Sequence, residues 1–382
     1  MRIVQLANFY GPVSGGLRTT LDALGRGYTA AGHERALIVP GPRYACVRDA
    51  AQGLRITLPG PRVGGGYRLL LSPGTLRSLL TRLGPDSLEV SDKLTLTPAA
   101  AWARARGIRT VLFSHERLDA ILAPRLPRRL PLRRAADAWN RHLAGSYDAV
   151  VAASAFSCAE FSRVGARTLH RVPLGVDLDV FSPAGAHGRR TGGVRLVYAG
   201  RLSAEKLPRL PVETLGVLRR RGVEARLDVL GDGPERGRLR RYAAAAGLPV
   251  RFHGHVTDRR AVAALIARAD VALVPCPAES FGLSALEALA CGTPVVTADR
   301  GAARELPVAG AGLAVPPVAA ATADAVVRVL GWPEAGRRAA ARARAEEFPW
   351  ARAVEGMLAV HGAAPAPGRS RAGRAEVGSS GS

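Results

Sequence analysis

Lysine is almost missing from this chain: of the 54 basic residues among 382, only Lys93 and Lys206 are lysines. Against 31 Asp and Glu the surplus is +23, which brings nucleic acid, acidic lipid and phosphorylated metabolites into view as partners. That surplus is spread out, since 25 Lys/Arg against 13 Asp/Glu up to residue 180 leave +12 there and +11 beyond. It therefore reads as an arginine-rich idiom and not as one basic surface. Aromatics are scarce at 5%, they do not interleave with basic residues, and no helix-turn-helix, zinc or RNA-recognition signature is present. A nucleic-acid-binding protein is left as the remote alternative, and no nucleic-acid partner is expected. Cys46, Cys158, Cys276 and Cys291 are scattered, without a C-x-x-C pair or clustered histidine, which argues against a zinc site or disulfide framework and for thiols in a reducing compartment. No apolar run reaches the ~18 residues that a membrane span needs. Met1 leads straight into the strand-like run to Ala7, without separate charged and apolar signal regions. The expectation is a cytoplasmic protein whose membrane contact would be peripheral, at an inner membrane face.

What is present is hydrophobic enough, at 47%, to bury real cores, and the length exceeds the ~250–300 residues that one core supports. Short β-type runs alternate with longer helical patterns, the grammar of βαβ units. Strands are predicted at Ile3–Ala7, Ala36–Val39, Ser87–Val90, Thr110–Phe113, Ala149–Ala152 and Leu169–Val172, with a helix from Gly16 to Ala31. A segment rich in breakers at 182–193 reads as an interdomain linker, after which the pattern restarts with strands at Arg195–Ala199, Arg226–Leu230, Val250–His253, Val271–Val274 and Pro294–Thr297. The expected organisation is a Rossmann-like domain over 1–181, the linker, a second such domain over 194–346, a C-terminal helix in 347–361 that crosses back to the first domain, and a disordered tail over 362–382. Two open parallel sheets facing each other place a ligand between domains, in loops that follow strands.

Four constellations fall in such loops. The segment from Pro275 to Val296 sets Glu279 after a buried strand, Gly282 at a helix entrance and Glu287 about one turn into the helix. Amides at Gly282 and Leu283 would favour phosphate, and two carboxylates beside an anion site make sense if they hold sugar or ribose hydroxyls. The plainer account has Glu279 capping the helix and Glu287 merely solvated. In Gly200–Lys206, Arg201 and Lys206 are placed to converge on one diphosphate, or else to start a solvated helix. Ser14-Gly15-Gly16 lacks a full G-x-G-x-x-G and signals only that backbone could approach a ligand. His115 follows a strand and faces the expected crevice, though a lone histidine is more often structural. Asp177-Leu-Asp179 has no further carboxylates around it and reads as a turn, as does Gly231–Pro234.

Taken together, Glu279-x7-Glu287 with its Phe-Gly-Leu and the following Ala-Cys-Gly-Thr-Pro, Gly-Arg201-x4-Lys206, the Gly15-Gly16 loop and Pro-Leu-Gly-Val-Asp177 resemble the family 4 retaining glycosyltransferases over nearly all of residues 1–360. The resemblance implies an α/β protein of GT-B fold, two Rossmann-like domains facing each other across a cleft. The opening run through Gly15-Gly16, the run Leu88–Leu96 and Ser114–Asp119 look most like the branch that takes GDP-mannose and mannosylates a phosphatidylinositol mannoside glycolipid. It implies that Arg201 and Lys206 bind the donor diphosphate, that Glu279 holds sugar hydroxyls with backbone at Phe281, Gly282 and Leu283, and that Glu287 holds the ribose. Gly15 and Gly16 would close over the donor and His115 would approach the transferred sugar. No metal and no cofactor beyond the nucleotide sugar is implied, and no catalytic base is assigned. Gly301-Ala-Ala-Arg-Glu305 departs from the family's frequent Gly-Gly-x-x-Glu. A UDP-sugar with a soluble inositol phosphate or polysaccharide acceptor stays open. Basic and apolar residues interleave in Pro124–Arg134 and in Gly66–Leu71, which suggests that the first domain rests on an anionic membrane surface.

Overall fold

The inner strand runs of a parallel sheet are buried on both faces, because helices cover the sheet above and below. In the computed structural model, which describes residues 1–11, 15–63, 67–117, 132–186 and 192–363, these runs build two separate sheets. The first holds β1 (Arg2–Leu6), β2 (Glu34–Gly41), β3 (Ala45–Asp49), β4 (Gly53–Pro59), β5 (Ser87–Val90), β6 (Arg109–Ser114), β7 (Ala149–Ala152) and β8 (Leu169–Arg171), in the order β3-β4-β2-β1-β5-β6-β7-β8. β1 pairs in parallel with β2 on one side and β5 on the other, Val4 facing Ala36 and Leu88, so the strand order reverses there. The second holds β9 (Val194–Ala199), β10 (Ala225–Leu230), β11 (Val250–Gly254), β12 (Val271–Val274), β13 (Val295–Ala298) and β14 (Gly312–Val315), in the order β11-β10-β9-β12-β13-β14. Its reversal lies at β9, between β10 and β12. The loops after β1, β5, β9 and β12 therefore carry the ligand crevice of each sheet.

The first sheet is not wholly parallel, which corrects the expectation from pattern alone. β3 runs antiparallel to β4, Cys46 opposite Ile56, and closes the edge. The segment expected to be a plain linker is ordered at its start: Pro183–Ala186 forms a 3-10 turn packed on the helix Arg259–Ala267, while residues 187–191 lie outside the described part.

The helix Trp350–His361 returns to the first domain, where it packs on the helix Gly15–Ala30 and on β6. Gly27 makes room for it, since a Cβ there would lie 2.1 Å from Val354. Met357 and Val360 share one buried cluster with Ile3, Leu24, Tyr28 and Phe113. At its end His361 is buried among polar groups, 3.1 Å from Glu89 and 2.8 Å from Ser87 Oγ. The expected tail lies beyond the described residues from 364 onward.

Candidate functional site

Arg201 and Lys206 are set by the loop after β9, and that loop is held from three sides. Gly200 N–H donates to Leu230 O at 2.9 Å and Leu202 N–H to Asp232 O at 2.9 Å. The neighbouring turn can come this close only as glycine: Gly231 has φ 131°, and a Cβ on it would lie 2.0 Å from Gly200 O. Tyr198 Oη donates to Arg201 O at 3.1 Å. The buried thiol of Cys276, pushed up to about 12 by burial and the Glu279 charge, donates to Glu205 O at 3.2 Å beneath the turn Ala204–Lys206.

The loop after β12 brings Glu279 to Lys206, with Nζ and Oε1 2.7 Å apart. Burial alone would lower the Lys206 ammonium, yet the Glu279 carboxylate outweighs it and lifts the group well above its ordinary value. Glu116, next to His115, acts in the same direction, so a first-domain loop reaches the same electrostatic site. Glu279 is thus not the cap of the helix Leu283–Ala290. That place is taken by Gly282 at φ 101°, which lets the chain turn sharply so that a free first helical turn follows Glu279. Phe281 is buried beneath, 6.1 Å from Phe348 between ring centroids. The Glu279 loop rests on Gly301, whose φ of 78° and whose approach to Pro277 O, 2.7 Å from a notional Cβ, both require glycine. Ala302 follows in an ordinary backbone region with its N–H on Glu279 O at 2.8 Å, so alanine replaces the family's second glycine without strain.

Glu287 sits one turn into the same helix, 3.2 Å from Arg259. Burial pushes its carboxyl up to about 7 against the opposing pull of Arg259. Arg259 also reaches Thr19 Oγ1 at 3.3 Å, on the first domain's helix Gly15–Ala30. At that helix start Gly16 faces the start of the other: a Cβ on Gly16 would lie 3.6 Å from Leu283 Cδ1, and one on Gly15 would meet nothing within 4 Å. Two helix N-termini from opposite domains therefore face each other with space at Gly15, an arrangement suited to an anion. Ser14 lies outside the described residues.

His115 stands apart from these pairs. Its Nε2 is 3.1 Å from Ser91 Oγ and its ring stacks on Phe113 at 4.2 Å. Burial pushes the imidazole down to about 4, with Lys93 adding to the effect and Glu89 opposing it, so it is neutral at physiological pH and offers hydrogen bonds and no charge. Asp177 closes its own turn, accepting from Asp179 N–H at 3.2 Å and Val180 N–H at 3.1 Å. Among the described residues, no cluster of three or more His, Cys, Asp or Glu side chains could hold a metal ion, and no helix is long and apolar enough to cross a membrane. The basic-apolar stretch around Pro124–Arg134 falls mostly outside the described residues, as does Gly66.

Several residues that complete the site carry little or no signal in the sequence. Arg259, Tyr67, Glu305 and Ser154 all reach across the cleft or pair with a site residue. Glu305 accepts the N–H groups of Ala155 and Phe156 at 3.0 and 2.8 Å, the N-terminus of a first-domain helix, Ala155–Ser162. Ser154 Oγ and Ser157 Oγ donate to the carbonyl of Ser280, next to Glu279, at 2.6 and 2.9 Å. Arg259, Tyr67 and Ser154 belong to no local motif of the site, Glu305 is marked only as the end of the Gly301–Glu305 run, and an arginine partner is invisible where arginine is everywhere.

Comparison with known proteins finds relatives for both halves of the chain. The family model described as "Glycosyltransferase Family 4" matches residues 14–180, and that described as "Glycosyl transferases group 1" matches residues 184–346. The GDP-mannose-dependent alpha-(1-6)-phosphatidylinositol dimannoside mannosyltransferase of Mycobacterium tuberculosis is 48% identical over 95% of this chain and 96% of its own length. The D-inositol 3-phosphate glycosyltransferase of Paenarthrobacter aurescens is 36% identical over 34% of each chain. Among solved structures, sucrose-phosphate synthase from Thermosynechococcus elongatus superposes with a TM-score of 0.78 at 20% identity, covering 94% of this chain and 98% of that one.

Proposed function

Because the chain belongs to glycosyltransferase family 4, we propose that it is a retaining mannosyltransferase that moves mannose from GDP-mannose to a phosphatidylinositol mannoside. The observation that carries the donor and acceptor is that likeness to the mycobacterial mannosyltransferase runs through both domains, whereas likeness to the inositol-phosphate enzyme spans about a third of the chain. In this reading Arg201 and Lys206 hold the diphosphate, with the first turn of Leu283–Ala290 behind them. The acceptor hydroxyl attacks the sugar C1 on the face from which the phosphate departs; the C1–O(phosphate) bond breaks and a phosphate oxygen takes the hydroxyl proton. Charge that builds on the leaving oxygen meets cations and amides already in place, so no strong acid is needed, in keeping with a neutral His115. Glu279 and Glu287 hold the sugar and ribose hydroxyls. A groove of about 220 Å³ lined by Leu70, Leu71, Leu76, Leu96 and Arg77 supports a lipid acceptor resting on the first domain.

The test is a panel of GDP- and UDP-sugars with phosphatidylinositol mannoside, inositol phosphate or no acceptor. Diphosphate release is expected with GDP-mannose and the lipid acceptor, and release from a UDP-sugar with the soluble acceptor would replace this reading. A second expectation concerns Glu287. A carboxylate, not a carboxylic acid, accepts two hydrogen bonds from a diol, so donor binding should expel the proton from a group that titrates near 7. Affinity for GDP-mannose, whose phosphates do not titrate in this range, should rise about tenfold from roughly pH 6 to 8. Calorimetry on Glu287→Gln should show weaker binding with that slope lost; an unchanged slope would remove Glu287 from the ribose site.

A further inference from the structure

Arg201 is gripped at both ends by tyrosines from different domains. Tyr198, on β9, holds its carbonyl at 3.1 Å. Tyr67, between β4 and the helix Pro73–Leu83 of the first domain, accepts a hydrogen bond from Arg201 Nη2, and the guanidinium carbon lies 5.5 Å from the Tyr67 ring centroid. Tyr67 is itself braced. Its carbonyl accepts from Val63 N–H at 2.8 Å, and Phe9 packs edge-on against its ring at 5.5 Å between centroids. Phe9 holds that place at a φ of 58°, a backbone region in which a bulky side chain is strained. Lys206 is treated differently, since its carboxylate partner Glu279 belongs to its own domain.

We propose that Tyr67 is a positioning residue, which orients the Arg201 guanidinium for the donor diphosphate and makes that orientation depend on contact with the first domain. This deepens the diphosphate role of Arg201 stated above and rests on it. A guanidinium is a planar fork of N–H donors, so one bond to Tyr67 together with the ring beside it fixes the plane and direction in which the fork meets a phosphate. A long side chain held in one rotamer loses less freedom when the ligand arrives and meets the growing charge without rearranging. Lys206 supplies charge whenever donor binds to the second domain, while Arg201 is in place only when the acceptor-bearing domain lies against it. The physical consequence is that the leaving phosphate is fully stabilised only in the assembled cleft, which limits transfer to water.

The test is a set of full-length variants assayed with whichever nucleotide sugar of the panel is turned over, so that an error in the donor leaves the test intact. Tyr67→Phe keeps the ring against Phe9 and removes only the hydroxyl. It should lower kcat/KM about tenfold in the wild-type and in the Lys206→Ala background, and leave it unchanged in the Arg201→Ala background, with the melting temperature of each pair the same. A purely structural tyrosine would show the same loss in all three. Equal losses in all three backgrounds, or no loss in the wild type, overturn the proposal. An Arg201→Ala enzyme with unchanged kcat/KM overturns it together with the diphosphate role, whereas a failed GDP-mannose assay alone bears only on the donor.

Discussion

Lys206→Ala should lower kcat/KM for the nucleotide sugar by about a hundred- to a thousandfold, the range seen when one preorganised donor is removed from a developing oxyanion. Two losses act together. The ammonium that meets the departing phosphate disappears, and Glu279, whose side chain is only 17% exposed, is left unpaired at 2.7 Å from where the cation stood. A carboxylate freed in this way repels the diphosphate, its charge no longer offset by the ammonium. Since the charge on the phosphate grows toward the transition state, kcat should fall as well as affinity. Lys206→Arg restores the charge on a planar fork that does not fit the compact position beneath which Cys276 supports the turn, so it should recover part of the loss and not all of it. Steady-state and single-turnover kinetics with the three proteins test this. Equal kcat/KM in wild type and Lys206→Ala would remove Lys206 from the donor site.

The parts of the site legible in the sequence are those with a local cause. Val271–Val274 reads as a buried parallel strand because it is apolar on both faces, and that fixes Glu279 in the loop beyond it. Gly282 marks the entrance of a helix because only glycine takes its φ cheaply. The strand Ala45–Asp49 was not legible, since it is an exposed edge with four outward residues and offers neither alternation nor an apolar run. β4 mixes Arg55 and Thr57 among its apolar residues, and β14 is four residues of mixed burial. Pairings across the cleft were illegible for a different reason. Tyr67 and Arg201 are 134 residues apart, Ser154 and Ser280 are 126 apart, and nothing in either local pattern refers to the other. What joins them is the way one domain's post-strand loops meet the other's, which only the assembled fold defines. Lys206, by contrast, stood out because lysine is so rare here, and its neighbour Glu279 shows why a compact ammonium fits.

His361→Ala should destabilise the first domain by about 3 kcal/mol, the cost of leaving the buried Glu89 carboxylate without one of its hydrogen-bond partners. His361 ends the helix that crosses back from the second domain, and its ring is enclosed with Glu89, neither having measurable exposure. Burial would push the Glu89 carboxyl up; hydrogen bonding and charge from His361, with hydrogen bonds from Gln5 and Tyr28, outweigh it and hold the carboxyl below its usual range. A carboxyl depressed in the folded state contributes stability that is present above its unfolded value of 4.5 and is lost as pH falls through the lower folded value. Without His361 the balance inverts. Glu89 is then buried with two neutral hydrogen-bond donors, Gln5 and Tyr28, each at 2.9 Å, and desolvation dominates. Its folded value should rise above 4.5, so that stability is lost as pH climbs through that window. The deficit of His361→Ala relative to wild type should therefore be large at neutral pH and shrink toward pH 4.5. Glu89→Gln added to His361→Ala should recover stability at neutral pH, because it removes the uncompensated charge. Urea unfolding of the three proteins at both pH values, followed by tryptophan fluorescence, checks the order. A deficit independent of pH, or a double variant less stable than His361→Ala, would show that the helix is held by its apolar face alone.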